Sequence, residues 1–148
     1  MIEITRASVK DHGIVTGLLL DYMREVELRP EADRDRWDRI IAELLNSDGW
    51  LFLLARDEED PVGLAVVNFF LSLYGSWAQG RISALIVDEQ HRHEGIGTRL
   101  MEDMLAAARR RGCRELEASV AQGSPEEAFY TGFGYNAERR LLLWPCRE

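Results

Sequence analysis

The chain has 148 residues, is 46% hydrophobic and 30% charged, and carries a formal net charge of -8. That length and balance suit one soluble globular domain with a sizeable core. The negative charge argues against nucleic acid, because phosphate binding rests on clustered Lys and Arg, and no window holds the ~18 continuous apolar residues of a membrane span.

At the start, "MIEITRASVK" has no apolar h-region, so the expected location is cytoplasmic. Within it "IEIT" alternates as a short strand. Ser8 and Asp11 have capping-box spacing, and "DHGIVTGLLLDYMREV" then carries Ile14, Leu18 and Tyr22 at helical intervals. After Pro30, Trp37, Ile40, Ile41, Leu44 and Leu45 mark an amphipathic helix closed by "NSDG". "WLFLLAR" and "VGLAVVNFFLSL" read as strands joined by the turn "DEEDP", and "YGSWAQG" reads as a second turn into the strand "RISALIV". A glycine-bearing junction opens a helix with Ile96, Leu100, Met104 and Ala107 or Ala108 on one side, ending at Gly112. "RELEASV" is a short strand. Ser124, Pro125 and Glu127 open a last helix, and "ERRLLLW" closes the chain as a strand. With no repeat or linker, this order predicts an α/β fold (an α+β mixed sheet) in a single domain, 1–148. Its central sheet is mostly antiparallel, with helices on both faces.

Cys113 and Cys146 are too few for a disulfide framework and match no zinc spacing, so both read as free thiols. "RRR" at 109–111 is the one basic run and suits the last turn of a helix, where cations complement the dipole. An acidic surface favours cationic partners such as amines. His91 and His93 flank Arg92, but no third ligand is near, so no metal is expected.

The junction "VDEQHRHEGIG" asks what two glycines supply at a strand-to-helix turn. A helix start offers unpaired N–H groups and the positive end of its dipole. Gly95 and Gly97 remove side-chain carbons that would hold an anion away. The spacing is neither G-x-G-x-x-G, since position 100 is Leu100, nor a P-loop. On spacing alone, a tight turn and an anion site both stand.

"RHEGIG", Arg92 to Gly97, preceded by "LIVDEQH", resembles the R-x-x-G-x-G acetyl-CoA signature of the GNAT superfamily of N-acetyltransferases. "FYTGFGY", Phe129 to Tyr135, resembles that family's F-Y-x-x-x-G-F segment, and the order of elements agrees over nearly the whole chain. The resemblance implies a GNAT-like fold, acetyl-CoA as cosubstrate, and transfer to a primary amine of a small molecule. It implies that the backbone of Arg92, His93, Glu94, Gly95, Ile96, Gly97 and Thr98 cradles the CoA pyrophosphate, and that Leu85, Ile86 and Val87 pair with the pantetheine arm. It also implies Tyr130 as the general acid, since a phenol of pKa about 10 is protonated at neutral pH. A homodimer is the prior for assembly.

The general base departs from the pattern. Relatives that acetylate polyamines carry acids in the strand before the loop, where this chain has Ser83 and Ala84, and Gly123 replaces a frequent Asn before the last helix. Glu25, Asp21 and Glu117 are the remaining carboxylate candidates. Tyr22, Glu25, Trp37, Tyr74 and Trp77 are candidates for the substrate wall. Two other readings stay open: acetylation of a protein N-terminus or lysine, and a CoA-binding module without catalysis.

Overall fold

The middle of the chain is rich in branched and aromatic residues, and there the backbone pairs into a sheet. The computed structural model describes residues 1–26 and 33–146, so Pro30 lies outside the described residues. Strands β1 (Ile2–Arg6), β2 (Trp50–Asp57), β3 (Asp60–Ser72), β4 (Trp77–Val87) and β5 (Cys113–Ala118) lie side by side in that order. The first four form an antiparallel meander. β5 is reached through helix α3 (Ile96–Arg110), the kind of crossover a parallel neighbour needs. Two side-chain pairs, Gln79–Glu115 and Arg81–Glu117, advance together along β4 and β5. That shared direction makes the pair parallel and the sheet mixed.

The chain divides into two compact units, Met1–Glu117 and Ala118–Glu148. In the first, helices α1 (His12–Glu25) and α2 (Arg34–Leu45) cover one face of the sheet. The Ser8 amide donates to Asp11 Oδ2 at 2.8 Å, closing the predicted capping box on a short 3₁₀ turn before α1. Val15 and Ile41 pack with Phe52, Leu54, Leu64, Val66 and Ile86. Strand side chains alternate, so Leu51 and Leu53 point to the opposite face. There α3 buries Ile96, Leu100, Met101, Met104, Ala107 and Ala108. The expected helices on both faces are present.

The two hairpins differ from expectation in length. β3 already begins at Asp60, so the first turn shrinks to Glu58 and Glu59, with Glu58 at φ 55°. In the second, Trp77 pairs with Ser72 as the first residue of β4, and the turn occupies 73–76. Asp57, Asp60, Pro61 and Trp77 to Gly80, which looked like loop, are ladder, because β-pairing overrides local turn propensity.

The second unit holds α4 (Pro125–Gly132), capped as predicted: Ser124 Oγ accepts from the Glu127 amide at 3.2 Å. The strand expected at "ERRLLLW" is absent. Leu141, Leu142, Leu143 and Trp144 lie outside any regular element and are 63%, 88%, 81% and 86% exposed. A run of four consecutive apolar residues has no polar face, so it forms a strand only when a partner buries both sides. Its own unit supplies no such partner among the described residues.

Leu64 is fully buried between the sheet and α1–α2. Leu64→Ala is expected to destabilise the protein by about 2–5 kcal/mol, whereas Leu142→Ala should stay within about 0.5 kcal/mol. Urea unfolding of the two variants measures the contrast.

Candidate active site

β4 delivers the chain to α3 through "DEQHRHEG". Asp88 caps a 3₁₀ turn over Glu89–His91, its side chain accepting from the Gln90 amide. His93 then takes φ 63° and Gly95 φ 84°, left-handed values that cost about 1–2 kcal/mol for a residue with a Cβ. Gly95 is the N-cap of α3 and, lacking a side chain, offers its helix no capping oxygen. The Arg99 amide is the first to find a helical carbonyl, that of Gly95, at 3.1 Å. The amides of Ile96, Gly97 and Thr98 therefore have no partner inside the helix. A Cβ built on Gly95 would meet nothing within 4 Å. The space beside Gly95 is open, and helix-start amides without a helical partner are groups that can receive an anion.

Arg92 faces the other way. Its guanidinium spans Glu25 Oε1 and Oε2 at 2.6 and 2.7 Å and donates from Nε to the Val87 carbonyl at 3.0 Å. One side chain thus joins the end of α1, the end of β4 and the loop. The hydrogen bond from Arg92 holds the Glu25 carboxyl below its usual range. His91 Nδ1 lies 2.8 Å from Asp88 Oδ2, and that hydrogen bond raises the imidazole pKa above its ordinary value. Nothing in the sequence reading singles out Asp88. The available signal was its D-x-x-H spacing, which closes a pair across one turn.

The ladder between β3 and β4 slips once, where Val66 faces Ala84 and Val67 faces Ile82. Ser83 is the extra residue of this bulge and is exposed. A bulge bends its strand and strengthens the twist. The Arg81–Glu117 pair sets the register with β5, and β5 ends one residue later at Ala118. The last part of β4, Ser83–Val87, runs on past that end. No strand among the described residues flanks it on that side. This free edge leads directly into the uncapped start of α3.

The remaining predicted residues are placed as follows. Asp21 pairs with Arg24 at 3.0 Å, and Glu117 with Arg81 at 2.6 Å. All three carboxylates considered as bases, Glu25 included, are therefore in ion pairs. Tyr22 packs partly buried against the α1–α2 core, and Trp37 is half-buried on α2. Tyr74 is fully exposed at the hairpin tip. Trp77 lies under the Arg114 guanidinium, 4.5 Å from the ring centroid, and a Cβ on Gly75 would collide with its indole. Its Nε1 is buried with no partner among the described residues. In the second unit Tyr130 is buried on α4, edge-on to Phe129 and Tyr135 at 5.8 and 5.1 Å. Burial pushes the Tyr135 hydroxyl up to about 12.

Residues 15–135 match the model of the acetyltransferase (GNAT) family. Among solved structures, an aminoglycoside acetyltransferase from an uncultured soil metagenomic sample is similar, with 20% identity and a TM-score of 0.82, covering 99% of both chains. A ribosomal-protein-alanine N-acetyltransferase from Brucella melitensis biovar Abortus 2308 has 18% identity and a TM-score of 0.79, over 97% of this chain and 98% of that one. A transcriptional regulator from Bacillus halodurans C-125 has 21% identity and a TM-score of 0.84, over 97% of this chain and 99% of that one. At such identities these structures share the fold. No curated protein matches the chain.

Because the folded pKa of His91 is raised, the Asp88–His91 pair contributes fully below the 6.5 of an ordinary histidine and is lost as pH rises through the raised value. An NMR titration of the imidazole should place the His91 midpoint above 6.5. Asp88→Asn should lower that midpoint, and an unchanged titration would show the pair absent in solution.

Proposed function

The chain belongs to the acetyltransferase (GNAT) family, and on that premise we propose that this N-acetyltransferase moves an acetyl group from acetyl-CoA directly to a primary amine of a small molecule. The observation that carries the reading is the continuity of two unpaired backbone stretches: the edge of β4 at Ser83–Val87 and the uncapped amides that open α3. An extended, amide-bearing arm suits the first, and a pyrophosphate suits the second. Leu85, Ile86 and Val87 then hold the arm by main-chain groups. His93, Glu94, Gly95, Ile96, Gly97 and Thr98 hold the phosphates by their backbone. Arg92 contributes chiefly as the brace that fixes this loop to α1. When bound, acetyl-CoA supplies the activated thioester.

Tyr130 serves as the proton donor to the departing thiol. An unperturbed phenol, of pKa about 10, is protonated at neutral pH, and a proton donor in this role is worth about 10²–10⁴-fold. Among the described residues none of the carboxylates considered as a base is spare: Ser83 and Ala84 carry none, and Glu25, Asp21 and Glu117 are engaged by arginines. Magnitudes then decide which amine fits. At pH 7 a lysine-like amine of pKa about 10.4 is neutral in roughly one molecule in two thousand, whereas an amine of pKa about 8 is roughly a tenth neutral. The site suits amines that are already partly neutral. The neighbouring enzyme named for aminoglycosides supports a small acceptor.

Gly97→Val places a branched side chain among the open amides and should weaken acetyl-CoA binding at least about tenfold by calorimetry, since the backbone can no longer reach the phosphates. Tyr130→Phe should keep that affinity and lower turnover by about 10²–10⁴-fold. Full affinity in a folded Gly97→Val protein sinks the phosphate cradle. Wild-type turnover in Tyr130→Phe sinks the acid.

The acceptor assignment has its own check. Rates for two amines of matched shape, with pKa about 8 and about 10.4, should rise with pH through each amine's own pKa, and the weaker base should react faster at pH 7. One inflection shared by both, near pH 6–7, would reveal a protein base instead.

A further inference from the structure

At the far end of α3 lies a feature that acetyl transfer does not use. An open trough of about 440 Å³ runs between α3 and strands β1 and β2, on the face of the sheet that α3 covers only in part. Ile4, Leu51 and Leu53 form its floor, and Asp103, Ala106, Ala107 and Arg110 form one wall. Those wall positions repeat at i, i+3, i+4 and i+7, so they make one stripe of the helix. Ala107 is buried against the sheet, with Leu51 and Leu53 only 6% and 8% exposed, and the short side chain of partly exposed Ala106 leaves the space above them.

The trough has a direction. Arg99 donates to the Ile2 carbonyl at 3.0 Å near the start of α3, and Arg111 donates to the Asp48 carbonyl at 2.6 Å just past its end. The helix therefore runs alongside β1, with Arg110 level with Arg6 and Asp103 nearer Ile4. Seven residues of helix separate Asp103 from Arg110 by about 10 Å. Arg111 is committed to Asp48 and to the face of Phe69. Arg6 and Arg110 are exposed, and their side chains make no ion pair or hydrogen bond among the described residues. In a chain of net charge -8 with 26 acidic residues, two unpaired guanidiniums at one end of an apolar floor are a charge pattern without an internal partner.

We infer that this trough is a second binding site, for a small amphiphilic monocarboxylate. Arg6 and Arg110 receive the carboxylate, for which guanidinium geometry is suited. The hydrocarbon body lies along Ile4 and Ala106, the partly exposed apolar residues of the trough, and burying them adds to the charge contact. A chain of about eight carbons fills the about 10 Å between Arg110 and Asp103. Asp103 at the other end repels a second carboxylate, so dicarboxylates are rejected. The volume is within the range of small-molecule sites. The site spans roughly 10 to 20 Å along α3 from the uncapped amides at its start, so its ligand and acetyl-CoA bind together.

Octanoate, octanol and suberate titrated into the ¹⁵N-labelled protein test the assignment. Octanoate should move the amides of Ile4, Leu53 and Ala106 saturably, with and without acetyl-CoA. Octanol and suberate should bind at least about tenfold more weakly, having lost the charge contact or met Asp103. The exposed double change Arg6→Gln and Arg110→Gln should weaken octanoate at least about tenfold while Tm and acetyl-CoA affinity hold. Ala106→Leu, with both arginines present, should abolish binding by filling the floor. Four results overturn the site: no saturable shift at about 10 mM octanoate, equal binding of octanol, unchanged binding in the double variant, or displacement of octanoate by acetyl-CoA. Acetyl-CoA affinity is read separately in every arm, so loss of the octanoate site and loss of the cofactor cradle are told apart.

Discussion

The first turn of α3 presents amide hydrogens without a side-chain cap among the described residues, whereas α2 and α4 begin on Asp33 and Ser124, whose side chains cap theirs. A missing N-cap costs about 1 kcal/mol, and the left-handed backbone at His93 adds to it. Tertiary packing offsets that cost. Leu100, Met101 and Met104 are fully buried, so the sheet anchors the helix whatever happens at its first turn. A helix held by its middle can leave its start free for another molecule.

The brace formed by Arg92 gives this opening its geometry. Glu25 and Val87 lie in elements far apart in sequence, and one guanidinium holds both. The pair is partly exposed, with 34% and 40% of the side chains accessible, so its energetic contribution is small. What it fixes is position: the end of α1 stands at a set distance from the loop. The bulge at Ser83 acts on the same region from the sheet, turning the last residues of β4 past the end of β5.

Much of this was legible in the chain itself. The Ser8–Asp11 box, the Ser124 cap, both central hairpins and the apolar stripe of α3 follow from local chemistry and period, and the structure bears them out. The bulge was not legible. Simple alternation along the predicted strand "RISALIV" would put Ile82, Ala84 and Ile86 on one face, yet Ala84 and Ile86 pack toward α1 and α2 while Ile82 pairs with Val67 on the other side. One inserted residue resets the alternation, and only the partner strand reveals it. Charge pairing was equally hidden: Glu25 is one of 26 acidic residues, and nothing local ties it to an arginine 67 positions on. The closing strand failed for the opposite reason, since β-propensity without a partner specifies nothing.

The apolar side chains left bare have a colloidal consequence. Leu71, Leu73 and Tyr74 at one hairpin tip, and Leu142 to Trp144 near the end of the chain, are each more than 60% exposed. At neutral pH the charge of -8 keeps copies of the protein apart by mutual repulsion. The isoelectric point is about 5.0, and there the repulsion vanishes while the sticky surface remains. Purification, storage and crystallisation screens are thus governed by distance from that pH, and added salt acts in the same direction as acid by shortening the reach of the repulsion.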